Sequence, residues 1–381
     1  MKKFLRELRL FWSFLFKSGK YAKFMSDNIY RIYLGHNKII DFRDGFPVYS
    51  LSTPALFSKP AANFFGRALF KIIQNRNTPN LMSFAVTSKC NAACSHCSFF
   101  DDSKMKKRRD LSTKECRSVI KEAQEMGVSV INFVGGEPLI RNDFLKILKS
   151  VDKDLSTAIL FTNGTRLKEK AFSLKKAGLD GVYVSLDSIH AKKHDKIRNK
   201  KGVFKKALAG IREAKKAGLS VGISCCISKE GFSNGDFDKI VEFGKKIDVH
   251  EVLFFDVVPT GRMKHCWEIM DDLDWIEEMI KASEKYNKDY GYPGVLVYSY
   301  STSHRSTGCA GGVSYFYVSP FGDISPCDFN HKKMGNIRGE PLYQIWDKMS
   351  EIDIYQKAAW GGCKLKRSKY KDHKYISRDS F

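Results

Sequence analysis

Three thiols fall within eight residues at Cys90-Asn-Ala-Ala-Cys94-Ser-His-Cys97, directly after the apolar run Leu81 to Val86. Cysteines at C-x3-C-x2-C spacing on a loop after a strand read as soft-metal ligands rather than packing residues. The number three carries the chemistry. A cubane iron–sulfur cluster has four irons and is normally held by four thiolates, so three leave one iron open to something other than protein. Other readings stay open on these residues alone: a zinc knuckle, a disulfide with one thiol over, or buried inert cysteine. Zinc would want a fourth ligand from a second short pair, and His96, wedged between Cys94 and Cys97, is poorly placed to close the same tetrahedron.

A second element, Gly135-Gly136-Glu137-Pro138, follows the apolar run Val128 to Val134. Two glycines let backbone approach a ligand closely, while Glu-Pro stiffens the turn and leaves one acceptor, which suits a ligand amine. Alone, such a turn is an ordinary strand-to-helix connection. One helix and one strand downstream of the cysteine triplet, it resembles the radical SAM superfamily over roughly residues 81 to 260. The resemblance implies that Cys90, Cys94 and Cys97 hold a 4Fe-4S cluster whose fourth iron is chelated by the amino acid end of S-adenosylmethionine (SAM). It also implies that Gly135, Gly136 and Glu137 meet the methionyl amine, and that Asn163, Ser185 and Arg198 contact the ribose or carboxylate. Arg198, within His194-Asp195-Lys196-Ile197-Arg198, reads equally well as a solvated helix residue.

These residues need a frame. From Leu81 onward short apolar runs alternate with helical segments: 81–86, 128–134, 156–161, 181–186, 220–227 and 251–258, with helices expected over 113–126, 143–151, 167–177, 203–217 and 237–247. Strands buried on both faces and separated by helices indicate a parallel sheet of βα units. Six units give an α/β fold with an open (β/α)6 partial TIM barrel. Functional residues of such a barrel gather at the C-terminal strand ends. Thr162-Asn163-Gly164, Ser185-Leu186-Asp187-Ser188 and Val258-Pro259-Thr260-Gly261-Arg262 all fall there, beside the two motifs.

Beyond Arg262 the rhythm breaks, which divides the chain into an N-terminal extension (1–80), the barrel (81–262) and a small α+β C-terminal domain (263–381). In that last part Cys309 and Cys327 flank a hairpin in the pattern C-x12-G-x4-C, and Cys363 follows Gly361-Gly362. The block resembles the SPASM/twitch extension of radical SAM enzymes. By that resemblance Cys309, Cys327 and Cys363 are ligands of one auxiliary iron–sulfur cluster, completed by substrate, water, Asp328 or His331. The tail after Cys363 contains no further cysteine, so two full clusters are not expected; three packed cysteines without metal is the plainer reading. Cys116, Cys225, Cys226 and Cys266 read as packing residues, the adjacent pair on opposite faces of one strand.

The 381 residues carry 65 Lys and Arg against 42 Asp and Glu, a formal charge of +23. That excess suits an acidic redox partner, an anionic substrate, a membrane surface or nucleic acid, without choosing among them. Ten cysteines and no signal peptide fit a reducing, cytoplasmic setting. The N-terminal extension has a basic, aromatic stretch over residues 2–17 and another over 55–73. Both are too short and interrupted to span a bilayer, and they suit either packing on the barrel or peripheral membrane contact. The expected enzyme cleaves SAM reductively to a 5′-deoxyadenosyl radical and abstracts hydrogen from a lipid, isoprenoid or other small molecule, or alternatively from a peptide. An acidic flavodoxin or ferredoxin supplies the electron. Specific nucleic-acid binding is not expected; a zinc-containing nucleic-acid binder is the distant alternative, and it predicts steeply salt-dependent binding.

Overall fold

The computed structural model describes residues 38–100, 108–272, 274–303, 305–359 and 361–378. The basic aromatic stretch over residues 2–17 lies outside them. The chain enters through an antiparallel hairpin, β1 (Asp41–Arg43) and β2 (Phe46–Val48). Helix Lys59–Gln74 follows, started by the Ser58 cap with Pro60 in its first turn and stopped at Asn75 in the left-handed conformation. This is the second amphipathic stretch, and it packs as a helix whose Phe64 and Phe65 are buried with Leu56 and Ala61. No helix among the described residues is long and apolar enough to cross a membrane.

The six expected strands form in order: β3 (Leu81–Ala85), β4 (Val130–Val134), β5 (Thr157–Thr162), β6 (Gly181–Ser185), β7 (Ser220–Ile227) and β8 (Glu251–Asp256). Each is hydrogen-bonded in parallel to the next. Their outer faces pack on helices 113–125, 144–148, 167–176, 203–216 and 236–246 in one continuous core.

The chain beyond Arg262 returns to this sheet twice. β9 (Gly294–Val297) adds in parallel beside β8, and β10 (Tyr315–Val318) adds in parallel at the opposite edge beside β3. β11 (Asp323–Ser325) and β12 (Gly335–Asn336) continue antiparallel, giving ten strands in the order β12-β11-β10-β3-β4-β5-β6-β7-β8-β9. The partial barrel is therefore lengthened on both edges by strands from the C-terminal part, which brings Cys309 and Cys327 to the same sheet as the first cysteine loop.

Residues 50–53 stopper the N-terminal end of the barrel. Leu51, fully buried, packs on Ile159, Tyr183 and Leu253, and its backbone N–H donates to the Glu251 carboxylate at 3.0 Å. The interior is thus shaped from one end and left for a ligand toward the other.

Candidate functional site

The loop after β3 carries Cys90, Cys94 and Cys97 and is gripped from three directions. The β4 turn holds its first residues: Gly136 N–H donates to the Thr87 carbonyl at 2.9 Å and Glu137 N–H to that of Lys89 at 2.8 Å. A side chain at Gly136 is impossible there, because a Cβ would stand 2.1 Å from the Lys89 carbonyl oxygen. The 197–198 segment holds its middle, with Ala93 N–H donating to Arg198 O at 3.1 Å and Ser95 N–H to Ile197 O at 3.0 Å. The loop after β8 holds its end. Arg262 N–H donates to Cys97 O at 3.0 Å, and the Arg262 guanidinium donates to Cys94 O at 2.8 Å.

Glu137 is 1% exposed, and its carboxylate accepts from the Thr162 hydroxyl (2.7 Å), Asn163 N–H (2.7 Å) and Leu139 N–H (3.0 Å). Burial pushes its acidity down, raising the pKa, against those three donors. The Glu137 carboxylate thus supplies a joint between β4 and β5, while the two glycines and the Glu137 N–H lie against the cysteine loop. Asn163 is tied to the same loop, donating to the Asn91 side chain at 2.8 Å.

Arg198 is not a solvated helix residue. It is 9% exposed and forks onto Asp187, at 2.6 Å from Nε and 2.8 Å from Nη2, while its Nη1 lies 3.6 Å from Cys94 Sγ. Burial opposes ionisation of Asp187, but Arg198, with His96, more than offsets it and holds the carboxyl down at about 2. Asp187 accepts also from Cys226 N–H at 3.2 Å, so the pair braces β6, β7 and the cysteine loop together. Burial pushes the Cys90 thiol up to about 12 and raises Cys97 as well. Protonated thiols release protons when they ligate metal, which links occupancy of such a site to pH.

The second cysteine set is more enclosed. Cys309, Cys327 and Cys363 are 8%, 8% and 6% exposed, and burial raises Cys327 and pushes Cys363 up to about 12, with the neighbouring thiols adding to both. Among the described residues no three His, Cys, Asp or Glu side chains close around a single ion. Asp328 accepts from the Tyr315 hydroxyl, and burial raises its pKa, while His331 sets Nε2 at 2.9 Å from the Asp328 carbonyl.

One cavity of about 1580 Å³ reaches the surroundings of both sites, although of the six expected ligand cysteines only Cys309 and Cys327 line it. Its wall includes Gly135, Ser185 and Arg198 from the first set of expected residues, and Cys309, Cys327 and Asp328 from the second. The same wall carries an aromatic trio, Phe255, Tyr298 and Phe329, with ring centroids 5.3 to 6.0 Å apart. Cys225 and Cys226 do point to opposite faces, but only Cys225 joins the core. Cys226 lines the cavity, so packing does not describe it.

Sequence reasoning missed the grip of Arg262, although its position in the loop after β8 was a signal. It also missed the buried pair Asp256–Lys366 (2.7 Å), which ties the end of β8 to the turn after Cys363. One Lys within the basic run from Lys364 to Lys371 gave no hint of that partner.

A parallel partial barrel with a three-thiol loop at its rim, and a second thiol set on a cavity that reaches that rim, is the arrangement of an iron–sulfur enzyme. The family model described as the Radical SAM superfamily matches residues 84–244, and the one described as an iron-sulfur cluster-binding domain (SPASM) matches residues 309–370. An AdoMet-dependent heme synthase of Methanosarcina barkeri is 30% identical over 297 residues, covering 72% of this chain and 84% of its own. An Fe-coproporphyrin III synthase of the same organism is 27% identical, covering 70% and 73%. Among solved structures, SuiB of Streptococcus suis bound to precursor peptide SuiA superposes with a TM-score of 0.64 at 16% identity, covering 94% of this chain and 88% of its own. The chain belongs to the radical SAM superfamily and carries a C-terminal SPASM domain. Its cofactors are accordingly a 4Fe-4S cluster, SAM and an auxiliary iron–sulfur cluster. The donor sets fit: three thiols at each site, buried or half-buried, with the first loop lying against the glycine turn and Arg198.

Proposed function

We propose that the enzyme abstracts hydrogen from a sizeable small molecule bound between its two cysteine sites, with Cys90, Cys94 and Cys97 holding the SAM-binding cluster and Cys309, Cys327 and Cys363 the auxiliary one. The observation that carries this reading is one cavity of about 1580 Å³ whose wall joins His96, Gly135, Ser185 and Arg198, around the first cysteine loop, to Cys309 and Cys327. When bound, the cluster and SAM supply one-electron cleavage of the sulfonium and a 5′-deoxyadenosyl radical. The chain's own residues position and seal. Gly135 and Gly136 bring backbone to the methionyl amine, while Asn163, Ser185 and Arg198 face the ribose and carboxylate. Phe255, Tyr298 and Phe329 offer flat apolar surface to the substrate and keep water from a reactive carbon.

A substrate with a planar apolar ring of porphyrin type, its carboxylates at the periphery, is the class these rings favour, and the names of the sequence relatives, heme synthase and Fe-coproporphyrin III synthase, support it. The test uses anaerobically reconstituted enzyme, dithionite, SAM and Fe-coproporphyrin III as probe. The expected result is a shift of the porphyrin absorption on binding and 5′-deoxyadenosine formed about tenfold faster than without it. Unchanged formation removes the porphyrin class, and the same assay run with an isoprenoid or a peptide decides between the remaining classes. A Cys94→Ala protein that still cleaved SAM would remove the assignment of the first loop.

A further inference from the structure

Helix 191–197, the turn after it and the start of helix 203–216 display six exposed lysines: Lys192, Lys193, Lys196, Lys201, Lys205 and Lys206. Among the described residues only Lys193 has an acidic partner, Asp236 at 2.7 Å. The one acid in the segment, Asp195, is spent on backbone, accepting from Gly202 N–H and Phe204 N–H. Like charges gathered without compensation repel one another, so the cluster costs stability unless an anionic surface meets it. Its place is the informative part. The inner side of this segment is the floor of the cysteine loop: Ile197 O and Arg198 O accept from Ser95 and Ala93, and Arg198 Nη1 lies 3.6 Å from Cys94 Sγ. Among the described residues, no other segment joins so many exposed cations to hydrogen bonds with that loop. Lys369, Lys371 and Lys374 form a second basic stretch, but each lies over an aromatic ring: Tyr370, Trp267 and Tyr375.

We infer that this lysine face is the docking surface for a small acidic one-electron carrier protein, seated on the outer side of the loop that holds the SAM-binding cluster. The inference rests on the assignment of Cys90, Cys94 and Cys97 made above. The carrier is oxidised by one electron and the cluster held by the loop gains it; no bond is made and no proton moves. Complementary charge raises the encounter rate and fixes the carrier over Ile197 and Arg198, whose carbonyls accept from the cysteine loop.

The experiment uses reconstituted holoenzyme with reduced flavodoxin as probe, and compares wild type with Lys192→Glu/Lys196→Glu/Lys201→Glu/Lys205→Glu. In the wild type, flavodoxin-driven 5′-deoxyadenosine formation and flavodoxin binding, read from FMN fluorescence, both weaken steeply with added salt. In the variant both fall by about tenfold or more at low ionic strength and lose most of their salt dependence, while the dithionite-driven rate stays within about twofold. Reversal of Lys369, Lys371 and Lys374 leaves flavodoxin binding in place. Equal losses in both variants, or loss only in the second, would overturn the inference. So would unchanged flavodoxin binding in the first variant alongside lost binding of a DNA duplex, which would assign the face to nucleic acid. Failure of the wild type to form 5′-deoxyadenosine even with dithionite would overturn the cluster assignment itself, and the docking surface with it.

Discussion

The Arg262 guanidinium donates to the carbonyl of Cys94 at 2.8 Å, from a residue on the far side of the sheet opening whose own N–H donates to Cys97 O at 3.0 Å. The same turn reaches the C-terminal part: Thr260 donates to Phe329 O at 2.9 Å, two residues past Cys327, and Gly261 N–H to Arg378 O at 3.2 Å. Three consecutive residues therefore fix the first cysteine loop against the auxiliary site. Gly261 sits at φ +58, and a Cβ there would stand 2.3 Å from Cys97 O.

Arg262→Met removes the side-chain donor and leaves the Cys94 carbonyl without it, whereas Arg262→Lys keeps the charge. The expected result for Met is a loss of about tenfold or more in SAM cleavage and a changed electron paramagnetic resonance signal of the reduced cluster, with Lys in between. Gly261→Ala should do at least as much by steric displacement of the loop. Normal spectra in all three variants would show that the turn does not set the loop's geometry.

The C-terminal part is also clasped to the barrel at its surface. Arg338 donates from Nε to Glu115 Oε1 at 2.6 Å, and Glu115 Oε2 accepts from Ser112 N–H at 2.7 Å in a capping box. The Arg338 hydrogen bond is the main cause that holds the Glu115 carboxyl down at about 2, from an ordinary value of 4.5. A depressed folded-state pKa contributes stability above the unfolded value, and that contribution disappears as pH falls from about 4.5 to about 2. Because the pair is partly solvated, about 1 kcal/mol is expected at neutral pH. Glu115→Gln should lower the urea midpoint at pH 7 and approach the wild type near pH 2. An equal deficit at both pH values would mean that packing, not charge, is what the substitution removes.

Much of this was written locally in the chain. The six strands β3 to β8 announce themselves because each is buried on both faces and so reads as an unbroken apolar run, and the rim residues follow from strand ends. The flanking strands β9 and β10 are apolar runs, but nothing local encodes their pairing: Gly294 joins Glu251 across an intervening helix, and Tyr315 joins Leu81 across more than two hundred residues. For the same reason Glu137 is recognisable in its motif, while its three internal donors, two of them from β5 and its following loop, are not. Cys226 shows the limit from another side. Strand alternation separates it from Cys225, but which face meets a cavity depends on how the sheet curves.

The pair Asp256–Lys366 was the least legible and gives the sharpest test of how the two cysteine sites are joined. Asp256 ends β8 and lines the cavity; its carboxylate accepts from the Ser299 hydroxyl and from Lys366 Nζ at 2.7 Å, with side chains 0% and 4% exposed. Lys366 closes the short turn that Cys363 opens, its N–H donating to Cys363 O at 3.1 Å. Removing one partner strands the other charge out of water, a cost of about 3–5 kcal/mol, whereas removing both costs far less. Lys366→Met should therefore lower the urea midpoint strongly, and Asp256→Asn combined with Lys366→Met should recover most of it. Because the turn carries Cys363, the single variant is expected also to lose iron from the auxiliary site while keeping the cluster of the first loop, which iron analysis and the spectrum of each reconstituted protein distinguish. Additive losses in the double variant, or full iron content in the single one, would show that this ion pair does not hold the Cys363 turn to β8.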